Sequence, residues 1–293
     1  MRVTESLKFS TVTSQLADLR AQYLQTAQQS SSGQRVNAPS DDPIAAAGNA
    51  RIQSSISQTD AYRKTIGVVQ SDAQMAESSL DSAGQVIQRA IELAMSGSNS
   101  STSADQLHAL ATEAQQLTTQ LLSIANTKGS QGYIFGGTNL DTTPFEADGT
   151  FVGNDEEHQV QIDGGQPMAV NASGARAFTS EGGQNVLQVM GALTDALSSG
   201  NTAAIQSSLD QLQSSHSQVV QERGRAGLIS DRLTMTDSFL AQQDTQMKSS
   251  ASALTEIDPN ATFSKLSQLE TTLQQSLAVD QRLLQTTFLP PNG

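Results

Sequence analysis

The sequence predicts a mainly α protein, an elongated antiparallel helical bundle or coiled coil with a small inserted β domain. Three observations lead there. Apolar residues recur at steps of three and four over most of the 293 residues. Aromatics make up only 4% and Trp is absent, whereas thick globular cores draw heavily on aromatic area. The one stretch rich in Gly, Asn, Asp and Pro lies mid-chain, between long helical patterns.

The first helical pattern places Val12, Leu16, Leu19 and Tyr23 on one seam, continued more weakly by Thr26 and Ser30. It stops at Gly33, which tolerates the positive φ of a helix end. A joint follows, marked by Pro39, Asp42 and Pro43. Proline displaces the residue before it from helical geometry, Asp42 suits an N-cap, and Pro43 suits a first helical position. The pattern then resumes through Tyr62, Ile66, Val69, Ala73, Ala76, Leu80, Ala83, Ile87, Ala90 and Ala94. A turn at 96–105, capped by Ser103 or Asp105, leads to a third helix through Leu107, Leu110, Ala114, Leu117, Leu121 and Ile124.

From Gly129 to about Gly183 the period changes. Asp148-Gly149 reads as a hairpin turn between Phe145 and Phe151, and Asp163-Gly164-Gly165 as a second turn after Val160 and Ile162. Helices return at 184–197. A long one, capped by Asn201 or Thr202, carries Ile205, Leu209, Leu212, His216, Val219, Arg223, Ala226, Leu233, Leu240 and Met247 on its seam. A second proline joint, "EIDPNATF" at 256–263, precedes a last helix with Leu266, Leu269, Leu273, Leu277 and Leu284.

The expected organisation is nested. Residues 1–42 and 258–293 are terminal-helix segments that pair as a coiled coil on assembly. Residues 43–130 and 184–257 form the bundle core, and 131–183 is the β insert. Gly-rich borders make that insert removable in this reading. Two single helices with one seam each bury little against one another, and helices depend on packing for most of their stability. Both seams therefore call for further copies or partners.

The chain carries a formal net charge of −13 with a pI near 4.5, which disfavours nucleic acid, whose binding rests on Lys and Arg. Charge is unevenly placed. Residues 1–40 hold Arg2, Lys8, Arg20 and Arg35 against Glu5 and Asp18, while 256–293 hold Lys265 and Arg282 against Glu256, Asp258, Glu270 and Asp280. Cysteine is absent, which excludes disulfides and thiolate chemistry. The first residues lack an apolar signal core and no stretch suits a bilayer span, so no membrane insertion is expected and export would proceed without a cleaved signal peptide.

Chemistry-bearing patterns are sparse. His108, His158 and His216 stand in no metal-ligand spacing, and His216 falls on a helical seam. "NDEEH" at 154–158 lacks the spacing of a calcium loop and reads as a solvated turn. The glycines of 129–137 form no phosphate-binding motif, and no nucleophile elbow is present. "ERGRAG" at 222–227 reads as helix-surface charge. No catalytic, cofactor or metal residue is assigned.

Three segments resemble bacterial flagellins and their hook-associated relatives. "SSGQRVNAPSDDPIAAAGNARI" (31–52) is similar to the family's N-terminal signature through Ser32, Gly33, Arg35, Val36, Asn37, Asp41 and Asp42. "ERGRAGLISDRL" (222–233) matches a C-terminal helix segment through Arg223, Gly227, Asp231 and Arg232. "LTEIDPNATFSKLSQLE" (254–270) matches the last joint through Glu256, Asp258 and Ala261. Asp41-Asp42-Pro43 and Ile44-Ala45-Ala46, with "YIFGGTNLDTTPF" (133–145), are nearer the members at the hook–filament junction than the filament subunits. The ending "TTFLPPNG" departs from the apolar or aromatic finish of those members. The resemblance implies a non-enzymatic axial structural protein of the bacterial flagellum, extracellular after type III export. Its implied partners are a hook-side junction protein, flagellin, its own copies in a ring layer, and a cytoplasmic export chaperone. The alternatives are a filament flagellin or a secreted coiled-coil protein of another system.

Overall fold

The structure is a computed structural model that describes the backbone of residues 2–99 and 101–288, and side chains from Ser10 to Gln281 apart from Ser100. Within it are α1 (Arg2–Ser32), α2 (Pro43–Gly97), α3 (Ala104–Ala125), β1 (Gln159–Val160), β2 (Met168–Ala169), α4 (Gly174–Phe178), α5 (Val186–Ser199), α6 (Thr202–Thr255) and α7 (Pro259–Phe288). The chain is mainly helical, with a single two-stranded antiparallel sheet among the described residues.

The chain divides into two compact units, one of residues 1–57 with 243–293 and the other of 58–242. This differs from the expected four-part division. The division falls within α2 and α6 rather than at the proline joints: residues 43–57 of α2 and 243–255 of α6 belong with α1 and α7.

In the unit 58–242, the predicted seam of α2 is the core. Every position from Ile66 to Ala94 in that series is buried, as are Ile205, Leu212, Val219, Ala226, Leu233 and Leu240 of α6. Arg223, also placed on the α6 seam, is instead exposed and ion-pairs with Asp81 at 2.5 Å. His216 is half-buried. α3 packs on α5. Its start carries a capping box, in which Ser103 accepts from the Gln106 amide and Gln106 returns the bond. α5 is capped by Asn185 and ends at Gly200, whose φ of 66° closes the helix.

The insert is where expectation and structure part. Both turns form. Phe145 bridges Phe151 across Asp148-Gly149, and Gln159 and Val160 pair with Ala169 and Met168 across the second turn. Yet the strands are two residues long, and the segment is no domain with a core of its own. Four of the chain's eight phenylalanines lie here, and three of them, Phe135, Phe145 and Phe178, are essentially fully buried in the core shared with α2, α3, α5 and α6. Phe178 packs edge-on to Phe135 and Phe145, with ring centroids at 5.4 and 5.6 Å. Ile162, Met168 and Val170 join Ile66, Val69, Ala73, Leu233 and Leu240 in a second cluster. Helices built from Ala, Ser and Gln leave too little apolar volume between them, and the insert fills it.

Polar anchors complete this attachment. Gln218, buried on α6, donates to the carbonyls of Ala177, Thr179 and Gln184 and accepts from the Gln184 amide. Glu222, only 2% exposed, accepts from the Ser173 amide at 2.8 Å and pairs with Arg176 and Arg225. Asn126 at the end of α3 makes two bonds to the backbone of Phe145, and Asp72 holds the amide and hydroxyl of Ser130.

Candidate assembly site: the paired joints and terminal helices

In the unit 1–57 with 243–293, the two proline joints are the same local device used twice. Asp42 stands before Pro43, the first residue of α2, and accepts from the Ala45 amide at 3.0 Å. Asp258 stands before Pro259, the first residue of α7, and accepts from the amides of Asn260 and Ala261. In each case the carboxylate satisfies amides that the helix cannot, and the proline sits where its missing N–H costs nothing. Pro39 lies between the two helices, where Asp41 gathers the amides of Asn37 and Ala38, both at 2.9 Å.

The joints bind each other. Gly33 ends α1 at φ 71° and its carbonyl accepts from the Ile257 amide at 3.1 Å. Gln34 bridges Glu256, and the Arg35 amide donates to the carbonyl of Thr255 at 2.6 Å. The Arg35 guanidinium then spans both joints, donating to the Leu254 carbonyl at 2.7 Å and to Asp42 at 3.0 Å. Carbonyls in the last turn of α6 have no helical donor, and that end of the helix carries partial negative charge. A fixed cation answers both needs. The Ala45 amide, and next the Arg35 guanidinium, hold the Asp42 carboxyl below its ordinary value.

Beyond the joints, α1 packs on α7 within one chain. The expected seam residues Val12, Leu16, Leu19, Tyr23, Leu266, Leu269, Leu273 and Leu277 are on hand, each half-buried. The side chain of Leu284 lies outside the described residues. Thr26 is buried at the joint end of the seam. An open groove of about 330 Å³ runs between the helices, lined by Val12, Leu16, Leu19, Thr272, Ser276 and Val279 among others. Leu24, Phe263 and Val279 remain more than half exposed. Pairing thus covers the seam only in part.

Sequence reasoning located both joints but missed their contact, which links residues 219 apart. The available signal was Arg35, a cation placed between a glycine helix stop and an Asp-Pro helix start. The "NDEEH" side chains are engaged locally: Asp155 pairs with Arg176, and Asn154 with Thr138. Among the described residues no group of three or more His, Cys, Asp or Glu side chains is placed to hold a metal, and no helix is long and apolar enough to cross a membrane.

A helical chain whose two ends fold back on each other through matched Asp-Pro joints, leaving a half-covered apolar seam, defines a structural protein built around its termini. The chain belongs to the bacterial flagellin family: residues 7–140 match the bacterial flagellin N-terminal helical region and 209–287 the C-terminal helical region. It is 28% identical to flagellar hook-associated protein 3 of Escherichia coli K12 and 27% identical to that of Salmonella typhimurium LT2. In both comparisons the match covers 94% of this chain and 95% of the relative. The fold is similar to that of Bacillus cereus FlgL, with a TM-score of 0.62 and 21% identity over 69% of this chain and 99% of that one. It is also similar to the flagellar junction protein FlgL of Legionella pneumophila, with a TM-score of 0.58 and 16% identity over 73% of this chain and 100% of that one.

Proposed function

We propose that this chain is an axial structural protein of the flagellum that joins the hook to the flagellin filament, without catalysis. The observation that carries the reading is the half-covered seam of α1 and α7. Eight large side chains lie half-buried along a pair whose groove remains open. Burying a Leu fully is worth roughly 1.5–3 kcal/mol, so further copies or axial neighbours laid along the groove gain from completing it. The end-to-end match with hook-associated proteins supports a place next to the hook. On this reading the seam residues, including Leu284, form the assembly contact, and the joint residues Gly33, Pro39, Asp42 and Pro43 set the angle at which the terminal pair leaves the rest of its unit. The partners are a hook-side junction protein, flagellin and other copies in one layer. The chain reaches them by export without a cleaved signal, after being held by a cytoplasmic chaperone.

Deleting the gene separates this from a filament flagellin. An adaptor's loss leaves flagellin secreted but unattached, with hooks intact. Loss of the filament protein itself from the medium would instead identify a flagellin, and labelled protein absent from hook ends would refute the junction role.

A further inference from the structure

The unit 58–242 carries two surfaces that neither the joints nor the terminal seam use. On α6 the core side is marked by Val219, Ala226, Leu233 and Leu240. Nearly half a turn away lie Leu228, Met235 and Phe239, at spacings of seven and four that place them on one stripe. They are 70%, 70% and 63% exposed. Single exposed apolar residues are ordinary, but three large ones aligned along a helix form a ridge. Arg232, exposed, stands on the same side between the first two.

Elsewhere in that unit an open groove of about 450 Å³ lies between α3, α5 and the Phe145–Phe151 hairpin. Its apolar floor includes Leu122 and Leu187, and its walls are kept low by Gly149, Gly191 and Ala192. Nothing lies within 4 Å of a side chain built at Gly191. The rim carries two exposed carboxylates, Asp148 and Asp195.

The two surfaces match in length, polarity and charge. Arg232 to Phe239 spans seven helical residues, about 10 Å, as does the groove wall from Gln188 to Asp195, so the two run antiparallel with Met235 over Ala192. Large side chains face small ones, and a cation faces anions. We propose that the Leu228–Met235–Phe239 ridge of one copy seats in the α3–α5 groove of the next copy of this chain. Because the patches differ, the contact is head-to-tail and propagates into a ring or helix rather than closing as a dimer. The proposal deepens the junction reading and rests on it for the setting in which copies meet.

The absence of cysteine makes the test clean. Full-length chain carrying both Met235→Cys and Ala192→Cys is bound to purified hooks and oxidised. A ladder of disulfide-linked oligomers is expected, with none from either single variant. A second pair, Phe239→Cys with Gln188→Cys, tests the same antiparallel register one turn further along, the register that sets Arg232 beside Asp195. Arg232→Asp and Asp195→Arg should each cut the ladder about tenfold and together restore it. Since these side chains are exposed, every variant should melt as the parent does. Hook-bound protein without a ladder from either pair, or dimers from a single-cysteine chain, overturns the proposal. Hook binding is scored first: its failure refutes the junction role alone, and oxidation of the concentrated chain in solution then tests the same contact by the same ladder.

Discussion

At the scale of single residues, Asp42 carries several demands at once. It caps α2, faces Arg35, and so ties the start of one helix to the end of another. Its carboxyl titrates below its ordinary value, chiefly through the Ala45 amide and then Arg35. A depressed carboxylate stabilises the fold at pH above its unfolded value, and that stabilisation is lost as pH falls through the lower folded value. Protection factors for amide exchange at Ala45 and Arg35, taken relative to the intrinsic rate at each pH, should therefore be high at neutral pH and fall only on acidification below the ordinary carboxylate range. Asp42→Asn should exchange faster at neutral pH and lose this acid step; an unchanged acid profile would assign the effect to another group. Glu222 makes a different case, because two of its partners, Ser173 and Arg176, lie in the insert. Glu222→Ala leaves the Ser173 amide without its acceptor and should cost about 1–3 kcal/mol in denaturant unfolding. Glu222→Gln, which keeps an acceptor, should cost less.

At the scale of elements, α1 and α2 show how one periodicity serves two ends. Both carry apolar seams, but Leu16 is half-buried against a single neighbour whereas Leu80 is fully buried among α2, α3, α5 and α6. Leu16→Asp should barely move the thermal melt of the unit 58–242, since that residue contributes nothing to its core. The same change should abolish attachment to hooks. Leu80→Asp places an unpaired charge in a dry core and should prevent cooperative folding altogether. Comparable melts for the two variants would show that the terminal pair is integral to the stability of the whole chain. Gly33 sets the end of α1 with a φ of 71°, so Gly33→Ala should destabilise the joint by about 1–2 kcal/mol.

At the scale of the whole molecule, the insert decides whether the unit 58–242 is a bundle with an appendage or a single core. Replacing 131–183 by a short Gly-Ser linker removes Phe135, Phe145 and Phe178 from the shared core, and takes Ala177 and Thr179 from Gln218 and Ser173 and Arg176 from Glu222. Truncating one buried Phe costs roughly 3–5 kcal/mol, so losing three exceeds the stability of an ordinary domain. The linker variant should lose its cooperative melt, which circular dichroism would register. Retention of that melt would restore the expectation of a removable domain.

Read from residues alone, the long helices, both joints, both insert turns and the α2 seam were legible, but the short α4 within the insert was not. Each depends on rules that act within a few positions: the fixed φ of proline, the positive φ open to glycine, the capping reach of a carboxylate, and the 3.6-residue period. The spacing of the terminal seams was legible for the same reason, though not how far a single chain would cover them. The tertiary structure alone decided three things. It set Arg35 against Leu254 across 219 positions, buried Glu222 in what reads as a surface charge run, and drew the insert's phenylalanines into the bundle. All three are pairings between distant segments. A local period states that a side chain needs covering, but which segment covers it is settled by the volume left between packed helices.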